Sequence, residues 1–380
     1  MTTNYSILVL GDTKSSMRQK IELAITDMVA DFGISVGSDL AFVEDVTDLP
    51  PATTVAAVYF GSSSHVSNSG HDILLQRGIP VLPIVSSIAS ASIELPLSFR
   101  KFNAFGLDAP DAPNAIAATV LENLCLMPQQ RRVFISYIRA QATGAALQLF
   151  SELESRQFRV FVDTHGVRHS SNFQEELWHN LSDCDVMVMI DTSKYFESQW
   201  TREEFAKANV KKAAILRVAF PDVRRDDNLS ITEDMPLASE DIVDGEFSVA
   251  ALNRICDRVE RLRSKSIAVR TAAIIGSVRA AVTDIRGSIS PPGAMRRVEI
   301  ELPSGKRVFL YPAIGVPTAS LLNDVADHAA LAPAAIVYDR LGVRERWLKH
   351  LSWLGVHVPQ VRWMQSWEAS WALAAWDAEP

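Results

Sequence analysis

The chain has 380 residues, a formal net charge of −8, and hydrophobic side chains at 48% of its positions. Its length predicts two or three domains, because single cores stop growing beyond about 250–300 residues. The acidic balance argues against general nucleic-acid binding, which needs clustered Lys and Arg, and every apolar run is well short of the roughly 20 residues of a membrane span.

The cysteines and the first residues bear on the cellular compartment. Cys125, Cys184 and Cys256 are widely spaced and odd in number, which argues for a reducing compartment without a disulfide framework or zinc-ligand spacing. The opening "MTTNYSILVLGDTKSS" has no basic segment followed by an apolar stretch and a cleavage site, so it does not read as a signal peptide. We therefore expect a cytoplasmic protein without a membrane partner.

Residues 1–127 alternate strand-like and helix-like segments and predict an N-terminal α/β domain with a mostly parallel sheet. The predicted strands are "YSILVLG", "VAAVYFG" and "IPVLPIVSS", and the predicted helices are "SSMRQKIELAITDMVADFG" and "NAIAATVLENLCL". A phospho-receiver is one interpretation, but the second strand leads to no acid and the third to no lysine. We favour a non-catalytic regulatory or dimerising domain.

A second α/β pattern begins at "RRVFISYIRA", residues 131–140. Val133 to Ile135 form an unbroken apolar run, which is typical of a strand buried on both faces of a parallel sheet. Ser136, Tyr137 and Arg139 follow at its carboxyl end. Ligands bind at that edge of open α/β sheets, so these side chains are candidate binding residues.

The remaining elements of this segment follow in the order expected of a parallel sheet. "AALQLFSELESRQ" predicts a helix, "FRVFVD" a strand, and Phe173, Leu177 and Leu181, spaced by four, a second helix. "DVMVMID", "TREEFAKANV" and "KAAILRVAF" then predict strand, helix and strand. The acid-rich stretch from Asp222 to Glu246 is interpreted as a solvated surface loop.

A long helical stretch and a third α/β pattern complete the chain. The helix runs from about Ser248 to Gly287, with a break or bend predicted at Gly276. From Met295, "VEIEL" and "RVFLY" predict a hairpin, and the rest predicts strand, helix, strand and helix. Trp363, Trp367 and Trp371 are spaced by four and predict one helical stripe, either a base-stacking surface or, as we favour, a tryptophan-rich core or docking face.

Four motifs in the second segment resemble a known family when taken together. They are "VFISYIR", "FVD", "FQEELWHNLSDCDVMVMI" and "YFESQWTREEF". In this order and at this spacing, residues 131 to about 220 resemble a bacterial TIR (Toll/interleukin-1 receptor) domain. The resemblance implies a flavodoxin-like sheet of five parallel strands, whose fifth strand lies late in the segment, in or near the acidic stretch. Four segments are expected. They are a non-catalytic α/β domain over residues 1–127 that is receiver-like or TIR-like, a TIR domain over 129–265, a helical linker over 266–294 and a C-terminal α/β domain over 295–380.

The resemblance also implies an activity, because many bacterial TIR domains are NAD⁺ glycohydrolases with a catalytic glutamate in a Trp-x-x-x-Glu motif. "WTREE" places Trp200 and Glu204 at that spacing, which makes Glu204 the expected catalytic residue. A carboxylate suits the positive charge that develops on the ribose during glycosyl transfer. The alternative is purely structural: Thr201 to Glu204 reads as a capping box, in which the glutamate caps a helix start.

The family pattern implies a set of substrate-binding residues: Ser136, Tyr137, Arg139, Asp163, Phe173 and Trp200. Asp163 is equally well explained as the start of a turn, and His165 and His169 are best read as surface residues. Ile138 stands where the family commonly has a polar residue, and Ser170 and Ser171 stand where it usually has glycine. No dinucleotide or phosphate-loop fingerprint is present, so NAD⁺ is expected as a substrate and no cofactor is expected.

Two functions of different classes follow from the resemblance. The first is an intracellular NAD⁺-cleaving effector of bacterial anti-phage defence or stress signalling, which releases nicotinamide and forms ADP-ribose or a cyclic variant. It would self-associate through TIR domains as a homo-oligomer when a small-molecule or protein trigger activates it. The second is a non-catalytic TIR adaptor. Independently, the strand, Gly/Pro loop and helix start in "YPAIGVPTASLLNDV" predict a small-molecule pocket in the last domain, because such an arrangement can hold an anion.

Overall fold

A computed structural model describes residues 3–12, 16–50, 53–64, 69–110, 112–162, 171–221, 223–224, 232–329 and 332–379, with backbone alone at residues 16, 69–70 and 171–174. The chain divides into two compact units, Met1–Gln129 and Gln130–Pro380. The second unit contains two five-stranded sheets and a two-stranded hairpin. All three cysteines are free thiols, and burial raises the pKa of Cys184 and of Cys256 to about 12.

The first unit is a five-stranded parallel sheet in the order β2-β1-β3-β4-β5. Its strands are β1 (Tyr5–Gly11), β2 (Leu40–Val43), β3 (Thr54–Phe60), β4 (Val81–Val85) and β5 (Phe105–Gly106). Its helices are α1 (Ser16–Asp31), α2 (Ser69–Gln76), α3 (Ala91–Glu94) and α4 (Ala112–Asn123). The predicted βα repeat is confirmed. The sequence pattern missed both edge strands, which are only four and two residues long.

The second unit begins with another parallel sheet of five strands, in the order β10-β9-β8-β6-β7. Its strands are β6 (Arg131–Ser136), β7 (Phe158–Val162), β8 (Val186–Asp191), β9 (Ala214–Ala219) and β10 (Glu233–Pro236). The helices are α5 (Arg139–Ser155), α6 (Ser171–Asp183), α7 (Gln199–Val210) and α8 (Val249–Asp284). All six residues of β6 and of β8 are buried, as expected for central strands covered on both faces.

The described end of the acid-rich stretch, residues 232–246, contains strands where a surface loop was predicted. It contains β10 and a small antiparallel hairpin of β11 (Ile242–Val243) and β12 (Glu246–Phe247). Arginines of α8 pair with its acids: Arg258 lies 2.5 Å from Glu233, and Arg254 lies 2.8 Å from Asp241. The loop prediction is therefore wrong for these residues. The fifth strand that the family resemblance implied is β10, on the outer side of β9.

Helix α8 is continuous for 36 residues, so the break predicted at Gly276 is wrong. Ser248 caps its start by accepting a hydrogen bond from the backbone N–H of Ala251 at 3.2 Å. Among the described residues, α8 is the one helix long and apolar enough to cross a membrane. In its most apolar stretch, 56% is buried inside the protein. Its first half packs on the parallel sheet, and residues from Ile274 to Val282 belong to the core of the next sheet.

That second sheet of the unit is mixed, in the order β13-β14-β15-β16-β17. Its strands are β13 (Ser288–Ile289), β14 (Val298–Glu301), β15 (Arg307–Ala313), β16 (Ala334–Tyr338) and β17 (Val361–Gln365). Helices α9 (Ala319–Ala329), α10 (Glu345–His357) and α11 (Ala369–Ala378) accompany it. The predicted hairpin is β14 with β15, and after α9 the predicted strand–helix–strand–helix order is confirmed from β16 to α11.

The predicted tryptophan stripe is wrong, because its three members lie on different elements. Trp363 is in β17, Trp367 is in the short 3₁₀ turn Ser366–Glu368, and Trp371 is in α11. Trp367 and Trp371 form an edge-to-face pair with centroids 5.3 Å apart. Both are more than half exposed, so this pair lies on the protein surface and contributes little to the hydrophobic core.

The two sheets of the second unit meet through a tight loop after β15. The backbone N–H of Val316 donates to Asp183 Oδ1 at 2.7 Å. Gly315 has a φ of +84°, and a Cβ there would lie 2.8 Å from Asp183 Oδ1 and 3.1 Å from the Arg132 guanidinium. Only glycine therefore permits this approach, which joins the loop of the mixed sheet to the end of α6.

A buried charge network underlies the parallel sheet at the start of β6. Arg263 of α8 is fully buried, and its Nε donates to Asp185 Oδ2 at 3.0 Å. Arg132 contacts Asp183 at 2.5 Å and Asp185 at 3.4 Å, and its backbone N–H also donates to Asp185. Pairing and hydrogen bonding of this kind offset the cost of burying these charges.

Removing one member of this network should destabilise the second unit. We expect Arg263→Ala to lower the free energy of unfolding by about 3–5 kcal/mol, because Asp185 keeps a buried charge without its α8 partner. Arg258→Ala, on the same helix but half-exposed, should cost about 0–1 kcal/mol. All eight tryptophans lie in the second unit, so urea unfolding followed by tryptophan fluorescence reports on it selectively. Equal losses in the two variants would contradict this account.

Candidate active site

The site lies where the parallel sheet changes its winding direction. The chain passes from β6 to β7 on one side, then crosses to β8 on the other side of β6. In such sheets, a crevice opens outside the carboxyl ends of the two strands at the switch point. Ser136 is the last residue of β6 and Asp191 the last of β8, so the predicted polar residue of the first strand does lie at this edge.

Glu204 points from α7 toward this edge and contacts the end of β6. Its side chain is 2% exposed, and Ser136 Oγ donates a hydrogen bond to its Oε2 at 2.5 Å. Ser136 Oγ also lies 2.6 Å from the hydroxyl of Tyr195, which is fully buried. Because the single hydroxyl proton of Ser136 is given to Glu204, Tyr195 must be the donor to Ser136. The three side chains form a directed chain of hydrogen bonds that ends on the carboxylate.

The start of α7 rules out the capping-box interpretation of Glu204. The helix begins at Gln199 after its N-cap Ser198, so Thr201 is the third helical residue and does not cap. Its hydroxyl donates to the backbone carbonyls of Tyr195 and of Ser198. Glu204 therefore lies in the second turn, beyond reach of the free N–H groups that a capping box satisfies. Its Oε2 accepts a hydrogen bond from Ser136 instead.

The other predicted site residues are placed as follows. Trp200 is half-buried on α7, one turn before Glu204, as the i, i+4 spacing implies. Arg139 is exposed at the first position of α5. Tyr137 is 3% exposed and packs with residues of α5 and α8. That core covers the face of the sheet opposite to Glu204, so the structure does not bring Tyr137 to the carboxylate.

Several sequence predictions lie in the segment before α6. Asp163, His165, His169 and Ser170 lie outside the described residues. Ser171 and Phe173 belong to α6, where the structure gives their backbone alone. The binding role predicted for Asp163 and Phe173 therefore stays a prediction.

Ile138 packs against the apolar cluster beside the carboxylate. It is half-buried against a cluster that contains Phe134, Tyr195 and Met189. Phe196 and Phe205 pack against the same cluster, edge to face with centroids 6.0 Å apart. The position where the family commonly has a polar residue is thus part of the apolar wall on the Glu204 side of the sheet.

The electrostatics of α7 add a cation close to the carboxylate. Lys207 Nζ lies 3.0 Å from the centroid of the Trp178 ring and 3.8 Å from Glu203. Burial lowers the pKa of Lys207, and the charges of Glu203 and Glu204 oppose that change. The helix therefore carries a partly desolvated ammonium one turn from Glu204.

Sequence reasoning missed three residues that organise this edge. Tyr195 orients Ser136, as described above. Gln141 of α5 accepts from Thr192 Oγ1 at 2.7 Å and donates to Ser193 Oγ at 3.0 Å, which fixes the loop after β8. Arg217 is buried in β9 and donates to Asp191 at 2.6 Å. For Arg217, the sequence did contain a signal, because an arginine inside the apolar strand "AILRVA" indicates a buried charge that needs a partner. No such signal marked Tyr195 or Gln141.

No metal is implied by these side chains. Across the described ranges, no group of three or more His, Cys, Asp or Glu side chains is arranged to hold a metal ion. The chemistry that the edge offers is a buried carboxylate, held by a hydroxyl donor, near aromatic rings and a desolvated cation. Such a carboxylate can stabilise positive charge or accept hydrogen bonds from sugar hydroxyls.

Comparison with known proteins agrees with this architecture. The five parallel strands and the switch-point site define a flavodoxin-like α/β domain. Residues 133–256 match the family model described as "TIR domain", so the chain contains a TIR domain. No curated protein matches the chain. The matching solved structures include a tagatose-6-phosphate ketose/aldose isomerase from Escherichia coli, with 12% identity, a TM-score of 0.20, and coverage of 72% of this chain and 83% of that one.

The hydroxyl pair beside Glu204 generates a stability prediction. Tyr195→Phe should cost about 0.5–1.5 kcal/mol, because Ser136 loses its donor inside a buried site. Tyr137→Phe is the matched control: no hydrogen bond of its hydroxyl is found within the described part of the chain, so we expect about 0–0.5 kcal/mol. Urea unfolding followed by tryptophan fluorescence measures both. A larger loss in the Tyr137 variant would show that the chain of hydrogen bonds is incorrectly assigned.

Proposed function

We propose that the protein is an NAD⁺ glycohydrolase with Glu204 as its catalytic carboxylate. The observation that carries the proposal is the placement of Glu204: it is 2% exposed, lies at the switch-point edge of a TIR domain, and accepts a hydrogen bond from Ser136 at 2.5 Å. A carboxylate buried in this way, and not used as a helix cap, is expensive to keep unless it has a function.

The reaction breaks the bond between C1′ of the nicotinamide ribose and the ring nitrogen. Nicotinamide leaves as a neutral molecule with the bonding electrons, water adds its oxygen to C1′, and a proton is released, giving ADP-ribose. No general acid is needed for this leaving group. Positive charge develops on the ribose, and the Glu204 carboxylate would stabilise it and accept hydrogen bonds from ribose hydroxyls. Trp200, one turn earlier on α7, would form a wall of the site.

The hydrogen-bond chain holds the carboxylate in place. Tyr195 donates to Ser136, and Ser136 donates to Glu204, so one carboxylate oxygen has a fixed direction. Such fixed dipoles stabilise a developing charge without reorganising during the reaction. Arg139, exposed at the start of α5, is the cation proposed to contact the pyrophosphate, because a guanidinium matches phosphate oxygens in geometry and charge.

The low exposure of Glu204 gives a reason for regulation. A ribose can contact the carboxylate only after the neighbouring side chains move, so the resting chain should turn over slowly. We propose that self-association through TIR domains opens the site and that the flanking domains respond to a trigger, as fits an intracellular effector of defence or stress signalling. NAD⁺ is the proposed substrate, and the active form is a proposed homo-oligomer.

The experiment measures nicotinamide release from NAD⁺ by the full chain over a series of protein concentrations, with and without a crowding agent. Glu204→Gln should reduce the rate at least about 100-fold, because the neutral amide loses the charge that stabilises the ribose cation. Glu203→Gln is the control: Glu203 is on the same helix but bonds to Gln199 and Lys207, and its variant should keep the activity.

The same experiment distinguishes the adaptor. Release that is equal in the parent and in Glu204→Gln would exclude Glu204 as the catalytic residue. If no variant releases nicotinamide even when crowded, while the chain still self-associates in sedimentation, the non-catalytic adaptor becomes the better proposal.

A further inference from the structure

A second site is suggested by a cleft within the second unit, away from Glu204. It has a volume of about 150 Å³. One wall comes from the end of α7 and the middle of α8, and includes Lys211 and Arg270. The other wall comes from the carboxyl ends of β15, β16 and β17, including Gly315, Asp339 and Ser366. The carboxyl edge of parallel strands is where ligands bind in open sheets, so the mixed sheet presents its own ligand edge to the TIR domain.

The lining of this cleft carries an excess of positive charge. Three of its side chains are cationic, Lys211, Lys212 and Arg270, and one is anionic, Asp339. Lys211 is 4% exposed at its side chain, and its Nζ lies 2.9 Å from Asp339 Oδ2. Lys212 is exposed, and no ion pair of its ammonium is found among the described residues. The lining therefore has a net charge of +2 with one cation already paired.

Arg270 is the surplus cation of the buried charge network. The two acids whose charges act on it are paired with other arginines: Asp183 contacts Arg132, and Asp185 contacts Arg263. Arg270 itself donates to two backbone carbonyls, that of Cys184 at 2.8 Å and that of Ser182 at 3.2 Å. A guanidinium that is 7% exposed and bonded only to neutral groups, within the described part of the chain, favours a nearby anion.

Other lining residues fit the body of a small ligand. Ile274 of α8 and Ile314 after β15 are apolar, and Ser366 contributes a hydroxyl. Burial lowers the pKa of Lys211, against the opposing charge of Asp339, so its ammonium would gain stability from a second anion. The loop that supplies Ile314 and Gly315 is the Gly/Pro segment for which the sequence predicted a small-molecule pocket.

We propose that this cleft binds a small phosphorylated molecule, whose phosphate lies among Lys211, Lys212 and Arg270. A phosphate monoester carries a charge of about −1.5 to −2 at neutral pH, which matches the net charge of the lining, whereas a carboxylate supplies only half of it. The non-phosphate part of the ligand lies against Ile274 and Ile314. Such a ligand contacts both the TIR domain and the mixed sheet, and Lys211 directly follows α7, the helix that carries Glu204.

The test measures binding directly and is independent of NAD⁺ cleavage. Glycerol 3-phosphate and inorganic phosphate are titrated into the full chain by calorimetry at constant ionic strength, with glycerol and acetate as comparison ligands. We expect saturable binding of glycerol 3-phosphate at one site per chain, weaker binding of phosphate, and none of glycerol. Lys212→Gln should weaken binding about tenfold, because it removes one charge-assisted contact from an exposed position that tolerates substitution.

Two variants separate the proposed site from nonspecific attraction or misfolding. Asp339→Asn should bind glycerol 3-phosphate more tightly, since it removes the one competing carboxylate, and an unfolded variant cannot show tighter binding. Lys349→Gln, an exposed lysine of α10 outside the cleft, should bind like the parent. The proposal is wrong if neither phosphate compound binds, if acetate binds as well as phosphate, or if Lys212→Gln and Lys349→Gln change the affinity equally.

Discussion

The second unit depends on one constraint: helix α8 belongs to two hydrophobic cores. Its 36 residues span about 54 Å at 1.5 Å per residue. The first half packs against β8, β9 and α5 of the TIR domain, and the second half packs against the mixed sheet. The two sheets cannot move independently without uncovering apolar side chains of a shared rigid element. Glycine costs up to about 1 kcal/mol in a helix interior. The helix continues through Gly276 because the residues before and after it are packed into the two hydrophobic cores.

The charges on α8 connect this scaffold to the candidate active site. Arg263 pairs with Asp185, which also accepts from the backbone of Arg132 at the start of β6. Strand β6 ends four residues later at Ser136, the donor to Glu204. The position of the catalytic candidate thus depends on a strand held at one end by a buried ion-pair network and at the other by the hydrogen bonds of Tyr195. Such a network fixes one arrangement of the strand, because a shift would leave buried charges unpaired.

Much of the fold was predictable because its signals are local. The apolar runs of β6, β8 and β9 and the serine that caps α8 are visible in the sequence, and four spaced motifs identified the TIR domain. Short edge strands such as β2 and β5 were missed, because two to four residues carry no periodicity. The spacing of four between the tryptophans predicted one helix. The prediction was wrong because the chain changes from strand to 3₁₀ turn to helix between Trp363 and Trp371. In the candidate site, the sequence singled out Glu204 and Ser136, which the structure brings into hydrogen-bonding contact. Tyr195 was not, since its role depends on a contact 59 residues away along the chain.

Helix α7 connects the two candidate sites, because each of its ends contacts one of them. At the start of the helix, the Thr201 hydroxyl donates a hydrogen bond to the carbonyl of Tyr195. The loop that orients Ser136 is therefore attached to the helix that carries Glu204. At the other end, Lys211 leaves the helix and reaches Asp339 of the mixed sheet. A helix is stiff along its axis, so a displacement at Lys211 would be shared by Thr201 and Glu204. An anion that competes with Asp339 for Lys211 would therefore act on the hydrogen bonds of the carboxylate through a single rigid element.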